Sequence, residues 1–158
     1  MRDIPKSVKH ITVWLLLATA LFLGVQAWMA QQRAARISLD MPGVIELRRG
    51  PDGHYHWPGT INGRQVDFLV DTGATRTALP QALAEGLQSL GAVRSSTAGG
   101  VVQGHVVRAD IVLQGGVRAN ALPVTVLPQL GAPLLGMDVL GKLHYSQADG
   151  VLRFEAPR

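Results

Sequence analysis

The residues best placed to do chemistry lie in Phe68-Leu69-Val70-Asp71-Thr72-Gly73-Ala74-Thr75. The apolar lead-in drives a strand into a core and leaves one carboxylate at its end, where a Thr-Gly turn begins. An acid there is costly to bury unless it has partners or a chemical task. Held near a substrate, such a carboxylate can take or give a proton. The plain alternative is a turn aspartate bonded to its own backbone, and the bare triplet does not decide between them. A second apolar-Gly stretch, Pro133-Leu134-Leu135-Gly136-Met137-Asp138-Val139-Leu140, lies where a partner motif is expected. Asp138 is another acid, but no Thr-Gly follows it, and it sits where a helix N-cap belongs. It is therefore assigned to the cap.

His54 and His56 have the i, i+2 spacing that puts two ligands on one strand face. A metal site needs a third ligand, and nothing in the sequence brings Asp52 or His144 close. Solvent-facing histidines on an edge strand are expected, with no metal and no cofactor. His105 reads as a surface histidine, and Arg48 and Arg49 as a solvated strand end. The chain has no cysteine, which excludes disulfides and thiolate sites.

The elements that must position Asp71 read as β-rich. Val44 to Arg48 is an expected strand, with a turn over 49–53, and His54 to Ile61 returns to make a first hairpin. Pro58 cannot donate to a ladder, so Trp57-Pro58-Gly59 is expected on an edge or bulge. Asn62-Gly63 is a favoured two-residue hairpin turn, and Arg64 to Val70 leads into Asp71. A helix is predicted over Gln81 to Leu90, its apolar side formed by Ala82, Leu83, Leu87 and Leu90 and its stop by Gly91. Val93 to Ala98 and Val101 to Leu113 form a hairpin around Gly99-Gly100, and Val117 to Leu127 is a further strand. A short strand ends at Leu134-Leu135-Gly136, one helical turn covers Asp138 to Lys142, and a hairpin spanning 144–154 turns at Ala148-Asp149-Gly150. Many short strands with regular turns and one short helix or two predict an all-β fold, a closed β-barrel.

The 158 residues allow one domain and an appendage. Residues 1–10 form a basic N-terminus, and 11–30 a block of twenty without a charged side chain, enough to cross roughly 30 Å of hydrocarbon as a helix. Trp14 and Trp28 flank it at interface positions. A cleavable signal peptide ending at Val25-Gln26-Ala27 is the rival, weakened by the length of the stretch and the lack of a clean Ala-x-Ala site. Either segment carries the rest across a membrane, with 1–10 expected in the cytoplasm. Residues 31–42 read as a juxtamembrane linker and 43–158 as the folded domain. Beyond residue 30, 12 Lys/Arg face 10 Asp/Glu with no basic helix or aromatic-basic array, so nucleic acid is not an expected partner.

Asp71-Thr72-Gly73-Ala74, the Gly-Gly hairpin and Leu134-Leu135-Gly136 together resemble the retropepsin-like aspartic proteases, in particular a bacterial single-pass, membrane-anchored group. The resemblance covers about 43–156. It implies an acid-protease lobe in the periplasm, anchored in the inner membrane, that cuts polypeptides as a homodimer. Two carboxylates that share one proton activate a water, and one Asp-Thr-Gly per chain requires one Asp71 from each protomer. By resemblance Asp71 is catalytic. Thr72 bonds across the dimer axis, while Gly73 frees the turn and its N–H supports the carboxylate, with Ala74 completing the loop. Ala98, Gly99, Gly100 and Val101 form a flap over substrate, and Leu134, Leu135 and Gly136 cross behind the loop in a structural role. Retroviral relatives dimerise through interleaved chain ends; here the N-terminus leads to the apolar segment, so the first hairpin or the membrane is expected to substitute. The alternatives are a catalytically silent β-barrel that binds peptides at the membrane and, more weakly, a metal-dependent hydrolase using His54 and His56.

Overall fold

A computed structural model describes residues 6–33, 36–40, 43–97 and 100–155, with side chains described for 12, 14–26, 37–40, 43–97 and 100–155. The chain divides into two units, Met1–Ala34 and Ala35–Arg158. The first contains one helix, α1 (Lys6–Arg33). From Trp14 to Gln26 every side chain is exposed, including Trp14 at 71% and Phe22 at 62%. Among the described residues no helix is long and apolar enough to cross a membrane. The ends of the expected 11–30 span fall among side chains outside those described.

The second unit is mostly β. Its strands are β1 (Arg36–Leu39), β2 (Ile45–Arg48), β3 (His56–Ile61), β4 (Arg64–Val70), β5 (Ala78–Pro80), β6 (Ser89–Thr97), β7 (Gly100–Leu113), β8 (Val117–Leu127), β9 (Leu134–Leu135), β10 (His144–Ala148) and β11 (Val151–Glu155). A short helix, α2 (Met137–Leu140), follows β9. The hydrogen-bonded order β8-β5-β9-β4-β3-β7 closes on itself because β7 also pairs β8. The barrel is closed, and only β1 and β6 lie outside the ring. A three-stranded sheet, β10-β11-β2, packs beside it.

Alternation builds the core. Val107, Ala109, Ile111 and Leu113 of β7 are buried, as the period of two demands. On β8 the buried set runs Val117 and Ala119, then switches phase to Leu122, Val124 and Val126. The switch is a bulge: Ala109 pairs with Leu122 but Ile111 with Ala119, and Ala121 takes a φ of 50°. Asp110 accepts the freed Ala121 N–H at 2.6 Å, and Arg108 donates to the Ala121 carbonyl at 2.9 Å. Trp57 and Phe154, ring centroids 4.4 Å apart, join the small sheet to the barrel.

The turns at Asn62-Gly63 and Asp149-Gly150 form as expected, with all four residues at positive φ. Other expectations need correction. β2 does not form a ladder with β3; it pairs with β11, and the supposed first hairpin is reduced to one bridge, Arg49–Tyr55. Pro58 is not on an edge, because β3 is flanked by β4 and β7. It is tolerated because the β3–β7 ladder begins only at Gly59, and its carbonyl still accepts from Gln114 N–H at 2.8 Å. The helix predicted over 81–90 is a 3-10 turn, Gln81–Leu83. Gly86 turns left-handed at φ 79°, and Ser89 onward is drawn into the β7 ladder. A ten-residue helix containing glycine is too marginal to resist that pairing. Residues Arg36–Leu39, read as linker, pair with β8.

Candidate active site

Asp71 follows the last residue of β4, and its placement is set by backbone rather than by its own side chain. β9 runs parallel to β4, with Val70 beside Leu135, and Asp71 N–H donates to the Leu135 carbonyl at 3.0 Å. Met137 N–H donates to the Ala74 carbonyl at 2.8 Å, so the stretch 135–137 clamps both ends of the 71–74 turn. Leu135 is fully buried. Gly136 is needed for contact: a Cβ there would lie 2.4 Å from the Arg76 carbonyl carbon.

Within the turn, Gly73 N–H donates to Asp71 Oδ1 at 2.8 Å. The reason for glycine at 73 differs from the one expected. Its φ lies outside the left-handed region, and the constraint is room, since a Cβ would come 3.2 Å from Asp71 Oδ1. Asp71 is half-buried, and Thr72 is exposed.

Asp138 is not the cap; it supports the acid loop through Thr77. Gly136 is the N-cap of α2, and Asp138 stands in its first turn. Its carboxylate accepts from Thr77 N–H at 2.9 and 3.0 Å and from Thr77 Oγ1 at 2.8 Å. Thr77 Oγ1 in turn accepts from Gly136 N–H at 3.2 Å. Thr77 is fully buried. This threonine, which sequence reasoning missed, ties the strand after the acid loop to α2. Nothing local could have revealed it, because its partners are 59 and 61 residues away.

A cavity of about 690 Å³ opens over Asp71, between the acid loop and β6. Ala74, Thr75, Arg76 and Leu134 line its floor, and Val93 to Thr97 its roof. Thr125 and Leu127 of β8 complete it. Asp71 is its one carboxylate among the described residues. The roof is an arm: β7 pairs β8 only from His105 onward, so Gly100 to Gly104 pair with β6 alone. The outermost described pair is Thr97–Gly100, with Thr97 Oγ1 donating to the Gly100 carbonyl at 2.8 Å. Gly100 has φ 112° and Val101 is 69% exposed, while Ala98 and Gly99 lie outside the described residues. Arg76, Arg94 and Thr125 also escaped the sequence reading, since only folding brings β6, β8 and the loop before β5 around one space.

The two histidines do not converge on this site. His56 lies between Asp52, 2.8 Å from Nε2, and Asp67, 3.1 Å from Nδ1. The bond to Asp52 raises the His56 pKa above its ordinary 6.5, and the same bond lowers that of Asp52 below 3.8. No group of three or more metal-ligating side chains forms among the described residues. His105 sits on β7 where the arm joins the barrel and does not line the cavity.

A closed barrel with one carboxylate on a Thr-Gly turn beneath a hairpin arm defines an acid-protease lobe. The fold is similar to that of a retropepsin-like aspartic protease from Rickettsia conorii, with a TM-score of 0.55 and 20% identity over 78% of this chain and 94% of that one. The family described as "gag-polyprotein putative aspartyl protease" matches residues 57–142, and the chain belongs to it. No curated protein matches the chain significantly.

Proposed function

We propose that the chain is an aspartic endopeptidase that works as a homodimer, anchored in a bacterial inner membrane with its barrel in the periplasm. The observation that carries this reading is the cavity over Asp71, roofed by an arm and lined, among the described residues, by a single carboxylate. Hydrolysis by this class of chemistry needs a charged acid to deprotonate water and a neutral one to donate to the scissile carbonyl. One lobe provides half of that pair, and a two-fold axis through the acid loop provides the other half from an identical chain. The exposed Thr72 stands next to that axis in the proposed assembly. A peptide lying extended between floor and arm would present its carbonyl to the shared water.

The anchor rests on the uncharged run from Ile11 to Ala30 and on the exposed apolar side chains of α1. Confinement in a bilayer raises the effective concentration of protomers and so favours the dimer. Replacing Asp71 with Asn removes the one acid that lines the cavity among the described residues and makes no new volume. Loss of peptide cleavage with unchanged circular dichroism is expected; retained cleavage would refute the proposal. A full-length protein that sediments in detergent as a strict monomer, binds peptide and never cuts it would establish the silent binding module instead.

A further inference from the structure

Two arginines, Arg76 and Arg94, line the same cavity as Asp71. Arg76 rises from the floor, where Gly136 packs against its backbone and the neighbouring Thr77 is bonded to Asp138. Arg94 lines the roof on β6, paired in register with Gln103. Both residues are solvent-exposed, and among the described residues neither side chain has a hydrogen-bond or ion-pair partner. Some other guanidiniums are engaged, Arg153 with Glu46 at 2.7 Å and Arg49 with the Gly53 carbonyl at 2.6 Å, whereas Arg48 and Arg118 are as free as these two but line no such cavity. Among the described residues the cavity lining therefore sets two unpaired arginines against one carboxylate, which the proposed mechanism commits to water. Guanidinium forks match carboxylates bidentately, and a peptide under the arm would exclude the water that otherwise screens them.

We infer that Arg76 and Arg94 are specificity residues that select a carboxylate on the substrate close to the scissile bond. The inference rests on the peptidase reading for its place in a reaction, but the preference itself is a binding property. The two possible sources are an acidic side chain and a free chain end, and the chemistry they share is the carboxylate.

The test uses full-length protein and peptides that carry Glu or Gln at each successive position, each made with a free and an amidated C-terminus. At one position Glu should exceed Gln in kcat/KM by on the order of tenfold, the factor one charge-assisted hydrogen bond supports. Preference for Glu in the amidated series assigns the site to side chains, and preference only for free ends assigns it to the terminus. Equal rates throughout overturn the inference while leaving proteolysis intact. Arg76→Glu combined with Arg94→Glu should move the preference to Lys by a similar factor, and Glu preference persisting there also overturns it. Fluorescence anisotropy of the same peptides on the Asp71→Asn protein reads selection without cleavage. If the wild type cuts nothing but that variant still favours Glu, the peptidase reading fails and the carboxylate site stands; equal or absent binding removes the site.

Discussion

Thr77→Val is nearly isosteric, yet it should unfold the barrel more easily than its shape implies. The hydroxyl donates to Asp138 Oδ1 at 2.8 Å and accepts from Gly136 N–H at 3.2 Å, at a fully buried position. Valine leaves the Gly136 N–H without a partner in the core, at roughly 1–3 kcal/mol. It also deletes a charge-assisted bond worth about 1.5–3 kcal/mol, although Thr77 N–H still holds the Asp138 carboxylate. The two losses share one network and do not add fully, so about 2–4 kcal/mol is expected. Against a domain stability of roughly 5–15 kcal/mol this is large. With a urea slope of about 1–3 kcal/mol per molar, the midpoint should fall by on the order of 1–2 M. Thr77→Ser keeps both bonds and should lose much less. Equilibrium urea unfolding, followed by the fluorescence of the buried Trp57, measures both variants. A Val midpoint within a few tenths molar of wild type would refute the network as a source of stability.

Three further outcomes follow from the same geometry. Asp138→Asn retains an oxygen that can accept from Thr77, so peptide cleavage should persist near wild-type rate; its abolition would make Asp138 part of the chemistry. Gly104→Ala would place a Cβ 2.2 Å from the Val126 carbonyl oxygen, backbone that cannot step aside. That change should prise the arm from the barrel and lower both activity and thermal midpoint, with loss of hydrogen-exchange protection at the β7–β8 junction as the signature. The His56 pairing gives a pH window. A raised His56 pKa means stabilisation that is complete below about 6.5 and disappears as pH climbs through the higher folded value. A lowered Asp52 pKa means stabilisation present above about 3.8 and lost as pH falls through the lower folded value. Wild type should therefore exceed His56→Gln in urea midpoint between those limits, by a small margin because the groups are exposed, and the margin should shrink towards pH 8. A gap that widened with pH would contradict the assignment; Asp67, also facing His56, acts in the same direction.

Local chemistry was enough for much of this molecule. Val117 to Leu127 is rich in strand-forming residues and forms β8 over those bounds, and Asn62-Gly63 closes a hairpin because both residues accept positive φ. The acid loop was likewise visible, since an apolar strand ending in Asp-Thr-Gly is a local pattern. What failed was non-local. The 81–90 helix was lost to β7, and β2 found its partner in β11, more than a hundred residues on, instead of in its neighbour. Asp138 had the position of a cap by sequence but serves as the acceptor for Thr77.

From residue order alone come most of the strands, the hairpin turns and the Asp-Thr-Gly loop, because propensity and periodicity act over a few neighbouring positions. Barrel closure, the clamp of Leu135 and Met137 on the acid loop and the gathering of Asp71, Arg76 and Arg94 around one cavity come only with folding. Those contacts depend on register and burial between segments far apart in the chain, and no short window of sequence contains both partners.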